Sequence, residues 1–368
     1  MNNLNLLELC LSADLGGLEL YMAHAAKALH EEFNVISIIN PKGKLEQYYQ
    51  DTSLPYDFIE KKSNIFMLGA AQQLAKIIDK HSIDIIHIHW TKDIPLTILA
   101  KKISKKNPKI IQTRHMTMTR FKNDFYHRFL YKNIDMILAV THQVADQIHK
   151  FIPSDICPKV ETLYMGFSKT EMLNTEEIIA LRQKLQMNES FSIGLIGRIE
   201  ETKGQHLLID AVKQLRQEEI DVKAFFVGHP MNEHYLETLK QKARDQQMEN
   251  AVHFLGFMKN PHHFMQVCDV VVLATEHETF GLVLIEAMHM GTAVIGSNRG
   301  GVLEIIDDNV TGLLFESMDS NSLAEKIKIL YENPLLRQRL TTNGQTKACE
   351  QFSNELHFKK LSKILKEL

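Results

Sequence analysis

The sequence predicts an α/β fold built from two similar parallel-sheet units, and three observations lead there. Short, β-branched apolar runs recur at 6–11, 35–39, 83–89, 109–113 and 135–140, and again at 192–196, 222–227, 252–255, 270–274 and 292–296. Continuous rather than alternating apolarity marks strands buried on both faces of a sheet. Between these runs lie stretches of helical period, such as 18–29 and 207–215, where Leu208, Ala211, Val212 and Leu215 share one face. Finally, 368 residues at roughly 100–200 per domain ask for two domains.

The alternation pauses across 166–190, where Gly166, Phe167 and a Glu/Gln/Lys-rich stretch precede a fresh strand. The expected division is an N-terminal unit over 1–170, a C-terminal unit over 171–350 and a closing helix over 351–368. Ligands of open α/β sheets sit outside the carboxyl ends of the strands. Two such units facing each other would form a cleft, so chemistry is sought in the loops that follow strands.

Composition narrows the class. Apolar residues make up 44% and charged residues 24%, ordinary for a globular protein and too apolar for disorder. No apolar run approaches the roughly 18–20 residues of a membrane span, and the 267–275 stretch carries Asp269. The N-terminus lacks a basic region and Glu8 interrupts its apolar stretch, so no signal peptide is expected. Cys10, Cys157, Cys268 and Cys349 form no CxxC and no zinc spacing, which fits a reducing cytoplasm. Charge is uneven. Residues 1–170 hold 21 Lys+Arg against 17 Asp+Glu, whereas the remainder holds 21 against 28. Lys101 to Lys132 alone has ten basic residues and one acid, Asp124. That stretch reads either as a solvated helix face or as a patch for a phosphate-bearing surface.

Four loops could carry chemistry. The first strand leads into Ser12-Ala13-Asp14-Leu15-Gly16-Gly17, opening onto a helix whose amino end favours anions. It is neither GxGxxG nor a Walker sequence. In the second half, the strand ending in Ile196 is followed by Gly197-Arg198 and then Lys203-Gly204. A planar guanidinium and a point charge on one loop suit a diphosphate. The strand at 270–274 precedes Glu278-Thr279-Phe280-Gly281-Leu282 and a helix over 282–290, capped by Gly291. The amides of Phe280, Gly281 and Leu282 open that helix and would bind an anion. Glu286 lies in the helix's nearly continuous apolar half, where a carboxylate needs either an internal ion pair or ligand hydroxyls. A fourth loop, Asn298-Arg299-Gly300-Gly301, follows the next strand.

Together these residues resemble the retaining glycosyltransferases of family four, which have the GT-B fold. The run from Glu278 to Glu286 matches the family's E-x7-E signature, and the match continues through Gly291-Thr-Ala-Val-Ile, Gly300-Gly301, Glu304-Ile-Ile and Thr311-Gly-Leu-Leu. Arg198 and Lys203 correspond to its phosphate loop, and Gly16 and Gly17 to its amino-terminal glycine loop. His115, in Thr113-Arg114-His115-Met116, stands where relatives hold a His near the reacting sugar, although many have a plainer His-Gly or His-Asp there. His87 and His89 resemble a D-x-x-H-x-H run; they read better as core histidines, and with no third ligand apparent no metal site is expected.

The resemblance implies transfer of a sugar from a nucleotide diphosphate sugar, a UDP-sugar before GDP-mannose, to a hydroxyl, with retention. No divalent ion or other cofactor is implied. Arg198, Lys203 and the amides of Phe280 to Leu282 would stabilise the leaving diphosphate, Glu278 would hold sugar hydroxyls, and Glu286 the ribose. On that reading Glu278 and Glu286 are not a hydrolase-type carboxylate pair. The expected acceptor is a bacterial glycolipid or glycan such as lipopolysaccharide. Phe121, Phe125, Tyr126, Phe129 and Tyr131, interleaved with Arg120, Lys122, Arg128 and Lys132, suit either an anionic membrane surface or an inward-packed helix face. A GT-B sugar-nucleotide epimerase is the rival reading. Nucleic-acid binding lacks any motif.

Overall fold

The computed structural model describes residues 3–50, 52–60, 67–187 and 189–368. Contacts divide the chain into two compact units, Met1–Tyr164 with Glu355–Leu368, and Met165–Asn354. Among the described residues of the first unit, seven strands form one parallel sheet: β1 (Asn5–Cys10), β2 (Asn34–Ile39), β3 (Tyr56–Phe58), β4 (Ile85–Ile88), β5 (Lys109–Arg114), β6 (Met136–Ala139) and β7 (Lys159–Thr162), in the order β3-β2-β1-β4-β5-β6-β7. The second unit has β8 (Phe191–Ile196), β9 (Val222–Val227), β10 (Val252–Gly256), β11 (Val270–Leu273), β12 (Ala293–Ser297) and β13 (Leu313–Phe315), in the order β10-β9-β8-β11-β12-β13. Both orders are those of a doubly wound nucleotide-binding sheet, which reverses direction at its first strand. The reversal points therefore lie at the carboxyl ends of β1 and β4, and of β8 and β11.

Ten of these strands coincide with the apolar runs of the sequence. β3, β7 and β13 do not: they are three or four residues long, stand at sheet edges, and in β3 and β7 are only partly buried. Edge position removes the double-sided burial that makes a strand legible as an apolar run. In the second unit, Ile193, Leu195, Val270 and Val272 pack on Leu208, Val212 and Leu215 of the helix Gln205–Gln217. In the first, Leu361 and Leu365 of the final helix, Asn354–Lys366, join Leu6, Phe33 and Leu138 in one core.

The loops after β8 and β11 approach one another closely. Gly204 has φ +72°, and a Cβ there would stand 2.4 Å from the carbonyl oxygen of Ala274. Glu276 N–H donates to the carbonyl of Thr202 at 3.2 Å, tying the same two loops. Gly17 differs: a Cβ there would meet nothing within 4 Å, and no left-handed backbone is needed. Gly204→Ala should accordingly lose roughly 2–4 kcal/mol of stability, from backbone strain and a forced shift of the loop. Gly17→Ala should be neutral or gain up to about 1 kcal/mol. Urea unfolding of the two variants checks this, and equal stabilities would mean the close contact at Gly204 is not made.

Candidate active site

At the reversal point of the second sheet, three loops converge. The loop after β8 carries Arg198 and Lys203. Gln205, fully buried at the start of the next helix, donates to the carbonyl of Arg198 at 2.8 Å and so fixes that backbone. The loop after β11 carries Glu278. Lys203 Nζ donates to Glu278 Oε2 at 3.2 Å, with the two side chains 22% and 18% exposed. The loop after β12 closes in through Gly301 N–H, which donates to the Glu278 carbonyl at 3.0 Å. Gly300 lies with φ +68°, where a Cβ would stand 2.4 Å from that same oxygen. Thus the backbone of Glu278 is gripped while its carboxylate faces Lys203.

Arg198 is more open. Its guanidinium pairs with Glu200 at 3.0 Å and is 57% exposed; an exposed pair of this kind contributes about 0–1 kcal/mol and opens readily. The helix Leu282–His289 starts after Gly281, whose φ is +96°. Its first amides have no acceptors within the helix. Phe280 is 4% exposed and packs edge-on against Phe352 at 6.0 Å, anchoring the turn. Glu286 is 17% exposed, with His262 Nε2 at 4.0 Å. A contact that long leaves most of the carboxylate's hydrogen-bonding capacity unused. Arg198, Lys203, Glu278, the turn at Phe280 to Leu282 and Glu286 all lie on two segments of this one unit, the loop after β8 and the loop and helix after β11.

The first unit holds a polar network on one face of its sheet. Glu8, on β1, is fully buried and accepts from His87 Nδ1 at 3.1 Å and from His89 Nε2 at 2.5 Å. His87 Nε2 bonds the Thr113 hydroxyl at 2.7 Å. Tyr21 lies over this row, its hydroxyl 2.8 Å from His357 Nε2, and His357 Nδ1 donates to the Tyr164 carbonyl at 2.6 Å. His115 lies beside Tyr21, ring centres 4.9 Å apart, and beside His89 at 6.0 Å; its Nε2 is buried without a partner, as is Nδ1 of His89. Burial works to raise the Glu8 carboxyl, but the charges and hydrogen bonds of His87 and His89 outweigh it and hold it at about 2. Burial pushes His89 and His357 down to about 4, and His115 well below its ordinary value. Gly16 N–H donates to Glu19 Oε2 at 2.9 Å, and the helix Gly17–Leu29 follows.

The expectation that no third ligand accompanies His87 and His89 is corrected: Glu8 brings its carboxylate to both, and the three ligand-type atoms lie within 4.8 Å of one another. Two ligands on one tetrahedral zinc stand about 3.4 Å apart. At 2.5 Å, Glu8 and His89 are instead hydrogen-bonded. A carboxylate inside a buried parallel strand must be paired, so Glu8 was detectable by the logic applied to Glu286. Tyr21 and His357 had no local signal, because their pairing spans 336 positions.

The basic stretch also differs in detail from its sequence reading. Arg128 is engaged by Asp155 and Asn123, and Lys101 and Lys109 by Asp135, so these three are not free surface cations. In the helix Phe125–Tyr131, Leu130 and Tyr131 are the buried positions. Phe125 is 89% exposed and Phe121 68%, with Tyr126 and Phe129 also outward, so these aromatics are not an inward-packed face.

The histidines set a pH dependence. His89 and His357 are neutral when folded but titrate near 6.5 when unfolded, so the unfolded chain binds more protons between about 4 and 6.5. Their stabilisation is complete above 6.5 and is lost as pH falls toward 4, by up to about 1.4 kcal/mol per pH unit each. The Glu8 contribution is lost only lower, from 4.5 toward 2. Urea unfolding across pH 4.5–6.5 should show this fall, reduced by about one proton in His357→Gln. An unchanged slope in that variant would mean His357 is not buried neutral.

The family described as "Glycosyl transferases group 1" matches residues 177–347, and "Glycosyl transferase 4-like" matches residues 8–141. N-acetyl-alpha-D-glucosaminyl L-malate synthase of Bacillus anthracis is 27% identical over 297 residues, covering 78% of this chain and 76% of its own. The capsular polysaccharide biosynthesis glycosyltransferase CapM of Staphylococcus aureus is 25% identical over 345 residues, 89% of each chain. In fold, HepE from Anabaena, solved in complex with UDP, superposes with a TM-score of 0.88 at 22% identity, over 99% of this chain and 100% of that one. The two family matches fall on the two sheets in turn, and the chain belongs to the group 1 and 4-like glycosyltransferases of the GT-B fold.

Proposed function

We propose that the protein is a retaining, metal-independent transferase that moves a sugar from a nucleotide diphosphate sugar, a UDP-sugar, to a hydroxyl of a cell-envelope glycolipid or glycan such as lipopolysaccharide. The observation that carries the reading is the convergence of Lys203, Glu278 and the amino end of the helix Leu282–His289 at the reversal point of the second sheet. Departure of a diphosphate needs positive charge fixed in advance at the leaving oxygens. Lys203, Arg198 after release from Glu200, and the amides of Phe280 to Leu282 supply it without an ion. Lys203, shared between Glu278 and a phosphate, would draw sugar hydroxyls on Glu278 toward the breaking bond. The leaving phosphate oxygen then accepts the acceptor's proton on the same face of the sugar. Glu286, with unused hydrogen-bonding capacity, takes the ribose.

The first unit supplies the acceptor side, with the Gly16–Gly17 turn and His115 at the carboxyl ends of its strands. His115, kept neutral by burial, can exchange a hydrogen bond but carries no charge to the sugar. The UDP assignment draws on the ligand named with HepE, and the envelope assignment on the capsule role named for CapM. No described helix is long and apolar enough to cross a membrane. We place the protein in the cytoplasm, reaching an anionic membrane surface through Phe121, Phe125, Tyr126 and Phe129 with the lysines around them.

Arg198→Ala and Lys203→Ala should each lower turnover by about 10²–10³-fold, or about 3–4 kcal/mol, as for loss of one transition-state charge partner. Glu286→Gln should instead raise the donor KM more than it lowers kcat, because a ribose contact is present in ground and transition states alike. Steady-state kinetics with UDP-sugars and a lipid extract checks both. Near-wild-type turnover in the two cation variants would remove the phosphate-loop assignment, and nucleotide release without any acceptor would favour the epimerase.

A further inference from the structure

Arg114 ends β5 with its side chain inside the protein. It is 7% exposed; Nη2 donates to the Thr117 carbonyl at 3.0 Å, while Nε is buried without a partner. Among the described residues it makes no ion pair, and the ionisable group beside it is the phenol of Tyr131, itself buried. A guanidinium is always charged, and burying one without a counter-charge is strongly unfavourable. Such a residue is normally matched by a carboxylate or by a bound anion.

Two more cations, Arg120 and Lys122, follow it on the segment between β5 and the helix Phe125–Tyr131. Lys122 is lowered by partial burial and by the charges of Arg114 and Arg120. The carboxylate near this group is Asp124, and it is occupied: it caps the helix Phe125–Tyr131 through His127 N–H at 3.1 Å and bonds the His127 ring. The segment carrying the cations is tied down. Met118 N–H donates to Gln147 Oε1 at 2.7 Å, Lys122 N–H donates to the Phe151 carbonyl at 2.8 Å, and Phe121 packs edge-on against Phe151 at 5.3 Å. Mutually repelling charges held together on an ordered segment are what a multiply charged anion relieves.

We propose that Arg114, Arg120 and Lys122 form a binding site for a phosphoryl group. Two guanidinium forks and one ammonium match a group that offers three oxygens and close to two charges, better than they match a single carboxylate. Exposed Phe121 lies between Arg120 and Lys122, and exposed Phe125 follows them. A lipid headgroup and the phosphate of a phosphorylated acceptor share this chemistry. The site goes beyond the transfer reading and does not depend on it, because its residues belong to the first unit and the donor groups to the second.

Inorganic phosphate, titrated calorimetrically against chloride at matched ionic strength, tests the site. A phosphate site should be present in the wild type and in Lys203→Ala. It should weaken at least about tenfold in the double variant Arg120→Gln/Lys122→Gln, whose substitutions lie on a surface segment. Arg114→Lys, which keeps the charge and loses the fork, should weaken it as well. Equal phosphate affinity in the wild type and the double variant would overturn the proposal. So would a site that survives the double variant and vanishes in Lys203→Ala, since it would belong to the second unit. Flotation with phosphatidylcholine vesicles containing phosphatidic acid decides the source. Flotation abolished by the double variant and by inorganic phosphate supports the headgroup, whereas phosphate binding without flotation supports a phosphorylated acceptor.

Discussion

Close backbone approach between loops that follow neighbouring strands is the constraint on which the candidate site depends. Gly204 against Ala274 and Gly300 against Glu278 each leave no room for a Cβ, and both glycines sit at positive φ. Without those contacts Lys203 and Glu278, 75 positions apart, would not share a hydrogen bond. The sheet order supplies the rest, since β8 and β11 are adjacent only because the chain reverses direction at β8. The backbone thus fixes where the Lys203 and Glu278 side chains start, and such fixing is what an electrostatic site needs in order to limit reorganisation during a reaction.

The two units use polar residues in opposite ways. In the second, Lys203, Glu278, Arg198 and Glu286 are partly exposed and each makes a single ion pair among the described residues, so an incoming ligand can compete for them. In the first, Glu8, His87 and Thr113 satisfy one another deep in the sheet, where removing one member would strand the others. That network reads as architecture around the neighbouring His115. Its cost is sensitivity to acid, because the imidazoles of His89, His115 and His357 are held neutral below their ordinary range.

Much of the fold was legible because strands of a parallel sheet buried on both faces are written as apolar runs, and ten of the thirteen described strands follow them. Edge strands such as Leu313–Phe315 were not, being too short to form such a run. At the site, glycines and charged residues on post-strand loops point to the second unit's chemistry directly, and Glu286 stands out as an acid in an apolar helix. What sequence could not show is pairing at a distance: Tyr21 with His357, Lys203 with Glu278, and Arg128 with Asp155. Arg114 was hidden for a different reason. Nothing in a basic stretch says which cation will be carried into the interior by the strand it terminates.

We propose that the loops after β8 and β11 hold a nucleotide diphosphate through protein charges alone. Calorimetric titration of UDP in the presence of EDTA tests it most directly, comparing the wild type with Lys203→Ala and with His357→Gln. Binding to the wild type and to His357→Gln should have similar affinity, and binding to Lys203→Ala should be at least about tenfold weaker. UDP binding that requires a divalent ion, or that is indifferent to Lys203, would contradict it.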